Sequence, residues 1–165
     1  MQSDEFIKST AALLAWREEN SNGLNGMLAV ILLLRNRVRA GKAKGFPDSW
    51  MGNITQKNAF SSMTVIGDGQ TVKYPDPRDP VFVRLLQEVD GIYDNTTADN
   101  LTHGALYYAD LSSPAYKPGN WFDRNIVQNP ARFPRVTTVG TTTYFADLGA
   151  LPANEGANPP GPKYL

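Results

Sequence analysis

At 165 residues and 41% hydrophobic, the chain can bury roughly 70% of its unfolded surface by size scaling, enough for one domain that needs no covalent staples. It has no cysteine and one histidine, which excludes disulfides, thiolate zinc sites, thiol nucleophiles and any His-rich metal centre. Sixteen basic residues balance sixteen acidic ones, so there is no basic excess to bind nucleic acid or to cling to an anionic polymer, and affinity must come from a shaped groove.

In chain order, residues 3–17 predict a helix with Ser3 or Asp4 as N-cap and an apolar stripe at Phe6, Ile7, Ala11 and Leu14. Position 18 continues that row. Glu18 is therefore expected on the packing face, and Glu19 about 100 degrees away. A carboxyl at the C-terminal end of a helix is disfavoured as an anion by desolvation and by the helix dipole, so it can keep its proton and act as a general acid. The spacing alone favours the plainer reading of two solvated residues at a helix end.

Next comes a run that is apolar nearly all round, Met27 to Leu34, which predicts a central buried helix. Asn22 is its expected N-cap, Arg35, Arg37 and Arg39 lie at its negative end, and Gly41 stops it. Its apolar run is too short to span a bilayer. Residues 40–45 read as a basic Gly/Ala linker, and 46–60 as a short helical turn anchored by Trp50 and Ile54, then loop. Residues 61–78 read as a long loop with a hairpin at Gly67-Asp68-Gly69.

Asp79 and Pro80 then open a helix to Tyr93 with an apolar face of Phe82, Leu85, Leu86 and Val89. After a polar linker at 94–102, residues 105–109 and 136–146 are β-rich, the second broken near Gly140, which predicts a small antiparallel sheet. Residues 148–165, rich in Pro, Gly and Asn, read as an extended tail to a domain of residues 1–147. The fold class is α+β, mainly helical.

Aromatic residues stand where a sugar groove would need flat apolar platforms: Trp16, Phe60, Tyr107, Tyr108, Tyr116, Trp121 and Phe122. Phe60 is read as core. Strand alternation turns Tyr107 and Tyr108 to opposite faces, one to core and one to groove, and Tyr107 is taken as the groove residue. His103 reads as a loop hydrogen-bonder. Ser61 and Ser62 lack a G-x-S-x-G elbow, which excludes a serine hydrolase.

The segment 18–38 resembles the opening signature of the cell wall hydrolase family that includes the spore cortex-lytic enzymes, E-A-R-G-E followed by Gly-x-x-Ala-Val and L-N-R-V. Glu18 matches the first Glu, Gly26, Ala29 and Val30 the run, and Asn36, Arg37 and Val38 its end. Further matches follow in order at Phe46-Pro47, at Ile54, Gln56, Phe60 and Ser61, at 104–108 (G-A-L-Y-Y), and at Val139, Gly140, Tyr144 and Phe145. Departures are Glu19, Asn20, Ser21 and Asn22 for the inner A-R-G-E, and Thr142 where the family has His.

The resemblance implies a lysozyme-like fold with a central buried helix, and cleavage of the peptidoglycan glycan strand between N-acetylmuramic acid and N-acetylglucosamine. It implies a lytic transglycosylase in which Glu18 is both acid and base, with Trp16, Ser61, Tyr107, Tyr108 and Trp121 binding the strand. No cofactor and no metal site are expected, the charge balance gives no ground for a nucleic-acid partner, and the sequence carries no signal for oligomeric state. A hydrolytic muramidase would need a second carboxylate about 5–5.5 or 6.5–9.5 Å away; Glu19, Asp68, Asp76, Asp79 and Asp110 are candidates. A glycan hydrolase acting on chitin, and an inactive wall-binding or virion structural module, fit the same residues. Residues 1–5 lack a secretory n-region, so the expectation is a phage-released lysin, a virion-associated protein or a processed chain.

Overall fold

Ser3 caps the first helix by accepting a hydrogen bond from the Phe6 amide, and α1 runs Asp4–Glu19, two residues beyond the expected end. The computed structural model describes residues 3–57, 59–65 and 67–149. Ala11, Ala12, Leu14 and Ala15 are fully buried on α1, a face of small side chains that lets the next helix approach closely. A 3₁₀ turn, Asn20–Asn22, leads into α2, Gly23–Ala40.

α2 is the central helix expected from its composition. Met27 and residues 29–34 are all buried, because α1, the later helices Trp50–Ile54 and Pro80–Tyr93 and the strand Arg135–Val139 pack around it. Each fully buried Leu or Ile there contributes roughly 1.5–3 kcal/mol of apolar burial. Asn22 precedes the helix but makes no capping bond; its side chain is engaged elsewhere. Gly41 ends the helix in the left-handed region at φ 54°, where a side chain would be strained. At the basic end of α2, Arg35 and Arg37 are buried while Arg39 is exposed. Arg37, 1% exposed, donates to the Leu106 carbonyl at 2.8 Å beneath the rings of Phe46 and Phe60, and burial lowers its pKa to about 10.

A second 3₁₀ turn, Gly41–Lys44, precedes α3, Trp50–Ile54. A single turn follows as α4, Ser61–Thr64, and the long helix α5 spans Pro80–Tyr93 with Asp79 as its cap. No strand forms among the described residues of 65–78. The expected hairpin at Gly67-Asp68-Gly69 is replaced by turns, in which Asp68 accepts from the Gln70 amide.

The sheet has three antiparallel strands, β1 (Tyr107–Ala109), β2 (Arg135–Val139) and β3 (Thr142–Phe145), in the order β1-β3-β2. Gly140, at φ 60°, turns β2 into β3. Central β3 is buried on both faces. Tyr108 and Tyr144, paired across the strands, face the helical core, while Tyr107 and Phe145 face a second cluster with Phe46, Phe122, Ile126 and Phe133. A turn of π-helix, Asp123–Val127, carries part of that second cluster and is not signalled by any periodicity in the sequence. Of the expected tail at 148–165, residues 150–165 lie outside the described residues.

Candidate active site

Glu18 lies half-buried at the end of α1, where that helix, α4 and β1 meet. The Tyr108 hydroxyl donates to Glu18 Oε2 at 2.9 Å, and Ser62 Oγ donates to Glu18 Oε1. The Tyr108 ring sits between Phe60 and Tyr144, at centroid separations of 6.5 and 5.8 Å, so its hydroxyl is aimed by packing on both faces. Burial and the nearby carboxyls push the Tyr108 pKa well up, which keeps that hydroxyl a donor.

Ser62 is gripped from two sides by neighbouring residues of α1. Its hydroxyl meets Glu18, while its carbonyl accepts from Arg17 Nη1 at 2.9 Å. Arg17 also donates to the carbonyls of Thr71 and Lys73 at 2.9 and 3.0 Å and lies over the Tyr74 ring. One guanidinium therefore fastens the loop after α4 beside the acid.

Glu19 does not turn away to solvent. It is 6% exposed, and its carboxylate accepts from Asn22 Nδ2 at 2.5 Å and Thr142 Oγ1 at 3.0 Å. The reason is local: Glu19 leaves helical geometry at φ −136°, which swings it under the sheet instead of continuing the 100-degree advance. Burial raises its pKa, opposed by the hydrogen bonds from Asn22 and Thr142. Of the two adjacent carboxyls, Glu19 is the buried one and Glu18 the half-buried one.

Several sequence expectations change here. Ser61 donates to the Asp68 carboxylate and organises the loop, so it is Ser62 that reaches Glu18. Tyr107 is 4% exposed and packs edge-on against Phe133 in the second core, so of the tyrosine pair it is Tyr108 that meets the acid. Phe122 is fully buried and packs edge-on to Phe145. Trp16 and Trp121 are half-buried, the first against the helical core and the second against the smaller cluster. Tyr116 donates to Asp123 at 2.5 Å. His103 is an exposed turn residue at φ 50°.

The other candidate carboxylates hold structural posts. Asp68 binds Ser61 and the Gln70 amide, Asp76 pairs with Arg78, Asp79 caps α5, and Asp110 accepts from Ser112 and from Thr141 Oγ1. Among the described residues no three His, Cys, Asp or Glu side chains gather as metal ligands, and no helix is long and apolar enough to cross a membrane.

No protein-family model and no curated protein matches the chain. Among solved structures it is similar to the catalytic domain of the germination-specific lytic transglycosylase SleB from Bacillus anthracis. That likeness has a TM-score of 0.57 at 20% identity over 87% of this chain and 96% of that one. The catalytic domain of the Bacillus cereus SleB protein gives the same TM-score at 21% identity, over 88% of this chain and 92% of that one. The chain therefore has the α+β, lysozyme-like fold of those domains, which is the fold expected from the sequence resemblance.

Proposed function

We propose that the protein is a peptidoglycan glycosidase of the lytic transglycosylase type, with Glu18 as its acid and base. The observation that carries this reading is a half-buried carboxyl at a junction of elements, held by Ser62 and Tyr108, in a fold shared with domains described as those of a lytic transglycosylase. In this mechanism Glu18 gives its proton to the oxygen bridging muramic acid C1 and glucosamine. As that C1–O bond breaks, charge grows on the carboxyl just where the two hydroxyls donate. The carboxylate then takes the proton of the same muramic residue's C6 hydroxyl, whose oxygen closes on C1. One proton leaves Glu18 and one returns, and no water is consumed.

The site residues proposed to bind the strand are Trp16, half-buried on the same helix end, and Trp121.

The test is mass spectrometry of the soluble fragments that wild type and Glu18→Gln release from purified walls. Wild type is expected to yield 1,6-anhydromuramic ends, one water lighter than hydrolytic ends, and folded Glu18→Gln to yield nothing. Reducing muramic ends would replace transglycosylation by hydrolysis, reducing glucosamine ends would move the bond, and lysis by Glu18→Gln would remove Glu18 from its role.

A further inference from the structure

Three positions at which the chain departs from the resembled pattern, Glu19, Asn22 and Thr142, come together although 123 residues separate the first from the last. Glu19 takes bonds from both others, and Asn22 Nδ2 also reaches Thr142 Oγ1 at 3.4 Å. The Thr141 amide donates to Asn22 Oδ1 at 3.2 Å, so the cluster ties the end of α1 to the β2–β3 turn and to β3. It is enclosed by two glycines that could not carry a side chain. A Cβ at Gly26 would stand 2.5 Å from Asn22 Cβ, and one at Gly140 would stand 2.1 Å from Asn22 Oδ1.

In the resembled pattern the second carboxylate stands at the place of Asn22, and Ala at the place of Glu19. Here the carboxylate stands at position 19 and an amide at position 22, and the two side chains meet. We infer that Glu19 is a positioning residue for Glu18: its carboxyl, transposed from position 22, bolts the end of α1 to β3 and so sets Glu18 against Ser62 and Tyr108. This rests on Glu18 being the reacting acid. The path is short, because Glu18 is the next residue on α1, Tyr108 is the cross-strand partner of Tyr144, and Thr142 and Tyr144 share β3. The charged and titratable groups facing Glu19 are Glu18 on its own helix, Asp110 after β1, Tyr108 on β1 and Tyr144 on β3. None is basic, so Glu19 is held by neutral donors and not by an ion pair.

The experiment measures kcat and KM for release of soluble fragments from purified peptidoglycan, with folding followed by circular dichroism and melting. The variants are Glu18→Gln, Glu19→Ala and the double variant Glu19→Ala/Asn22→Glu. Glu19→Ala is expected to lose roughly tenfold or more in kcat with KM within about twofold, the pattern of a misplaced reacting group. The double variant, which returns a carboxylate to the cluster from the other side, is expected to recover most of that loss. A residue that merely supports the fold would lower the melting temperature without separating kcat from KM.

Wild-type kcat in Glu19→Ala, or a loss that the double variant leaves uncorrected, overturns the proposal while the reading of Glu18 stands. Full activity in Glu18→Gln overturns that reading and this one with it. Should Glu19→Ala fail to fold, Thr142→Val carries the test, because it removes only the hydroxyl. A fall in kcat at constant KM then supports the cluster, and wild-type kcat overturns it.

Discussion

Ser62 and Tyr108 each direct a hydroxyl proton at one carboxyl group, so each should be measurable alone. A hydrogen bond to a charged acceptor contributes about 1.5–3 kcal/mol, which corresponds to roughly ten- to a hundredfold in rate if it is fully developed only as Glu18 gives up its proton. Tyr108→Phe keeps the stacked ring and is expected to lower kcat by about that factor with little change in melting temperature; unchanged kcat would remove Tyr108 from the site. Glu19 should also appear in stability. Its pKa is raised on folding, so the native state holds the proton more firmly than the unfolded chain. That contribution is present below the ordinary glutamate pKa of about 4.3 and is lost as pH rises through the raised value. The melting temperature of wild type minus that of Glu19→Gln is therefore expected to fall as pH rises across this window, and a constant difference would contradict the upward shift that burial imposes on Glu19. None of this could be read from spacing. Glu18 and Ser62 are 44 residues apart and Glu18 and Tyr108 are 90 apart, while the burial of Glu19 depends on one residue leaving helical dihedrals.

Among the elements, those with a strong apolar period were legible in part: α2 buries its whole apolar run, α1 buries Ala11 and Leu14 of its marked stripe but leaves Phe6 exposed near its start, and α5 buries Phe82, Leu85 and Val89 but leaves Leu86 exposed, while the break at Gly140 places the β2–β3 hairpin. The loop after α4 was not, because its order comes from a distant side chain. Gly67-Asp68-Gly69 has hairpin chemistry, yet the carbonyls of residues 62, 71 and 73 are gathered by Arg17 into turns instead. Arg17 is 8% exposed, so Arg17→Met would leave those carbonyls without their donor, at about 1–3 kcal/mol for a buried acceptor. The expected outcome is faster proteolytic cleavage and amide exchange within residues 67–76, with exchange in the α2 core changing far less. A reduced kcat should accompany it, because Arg17 and Glu18 hold the same serine. Equal cleavage rates in wild type and Arg17→Met would show that the loop is ordered by other contacts.

For the molecule as a whole, the net charge of zero hides an uneven division of labour among the carboxylates. Asp99 accepts from the amides of Thr102 and Gly104, the Thr102 hydroxyl and Asn36 of α2, and these bonds outweigh desolvation and hold its pKa down to about 2. Asp110 and Asp123 are also lowered, by bonds from Ser112 and Thr141 in one case and from Tyr116 and the Gly119 amide in the other. All three pin irregular segments on either side of β1, where there is little regular hydrogen bonding to do it. For a lowered carboxyl the unfolded chain binds the proton first, so its stabilisation is present above the unfolded pKa of about 3.9 and is lost as pH falls through the folded value. Acid unfolding should therefore begin below about pH 4 and be led by the segments around β1, ahead of the α1–α2–α5 core. Asp99→Asn is expected to lower stability at neutral pH and to flatten its dependence between about pH 4 and 2, since the titrating group is gone. Melting curves at a series of pH values decide this: a variant as acid-sensitive as wild type would mean that Asp99 does not anchor the approach to β1.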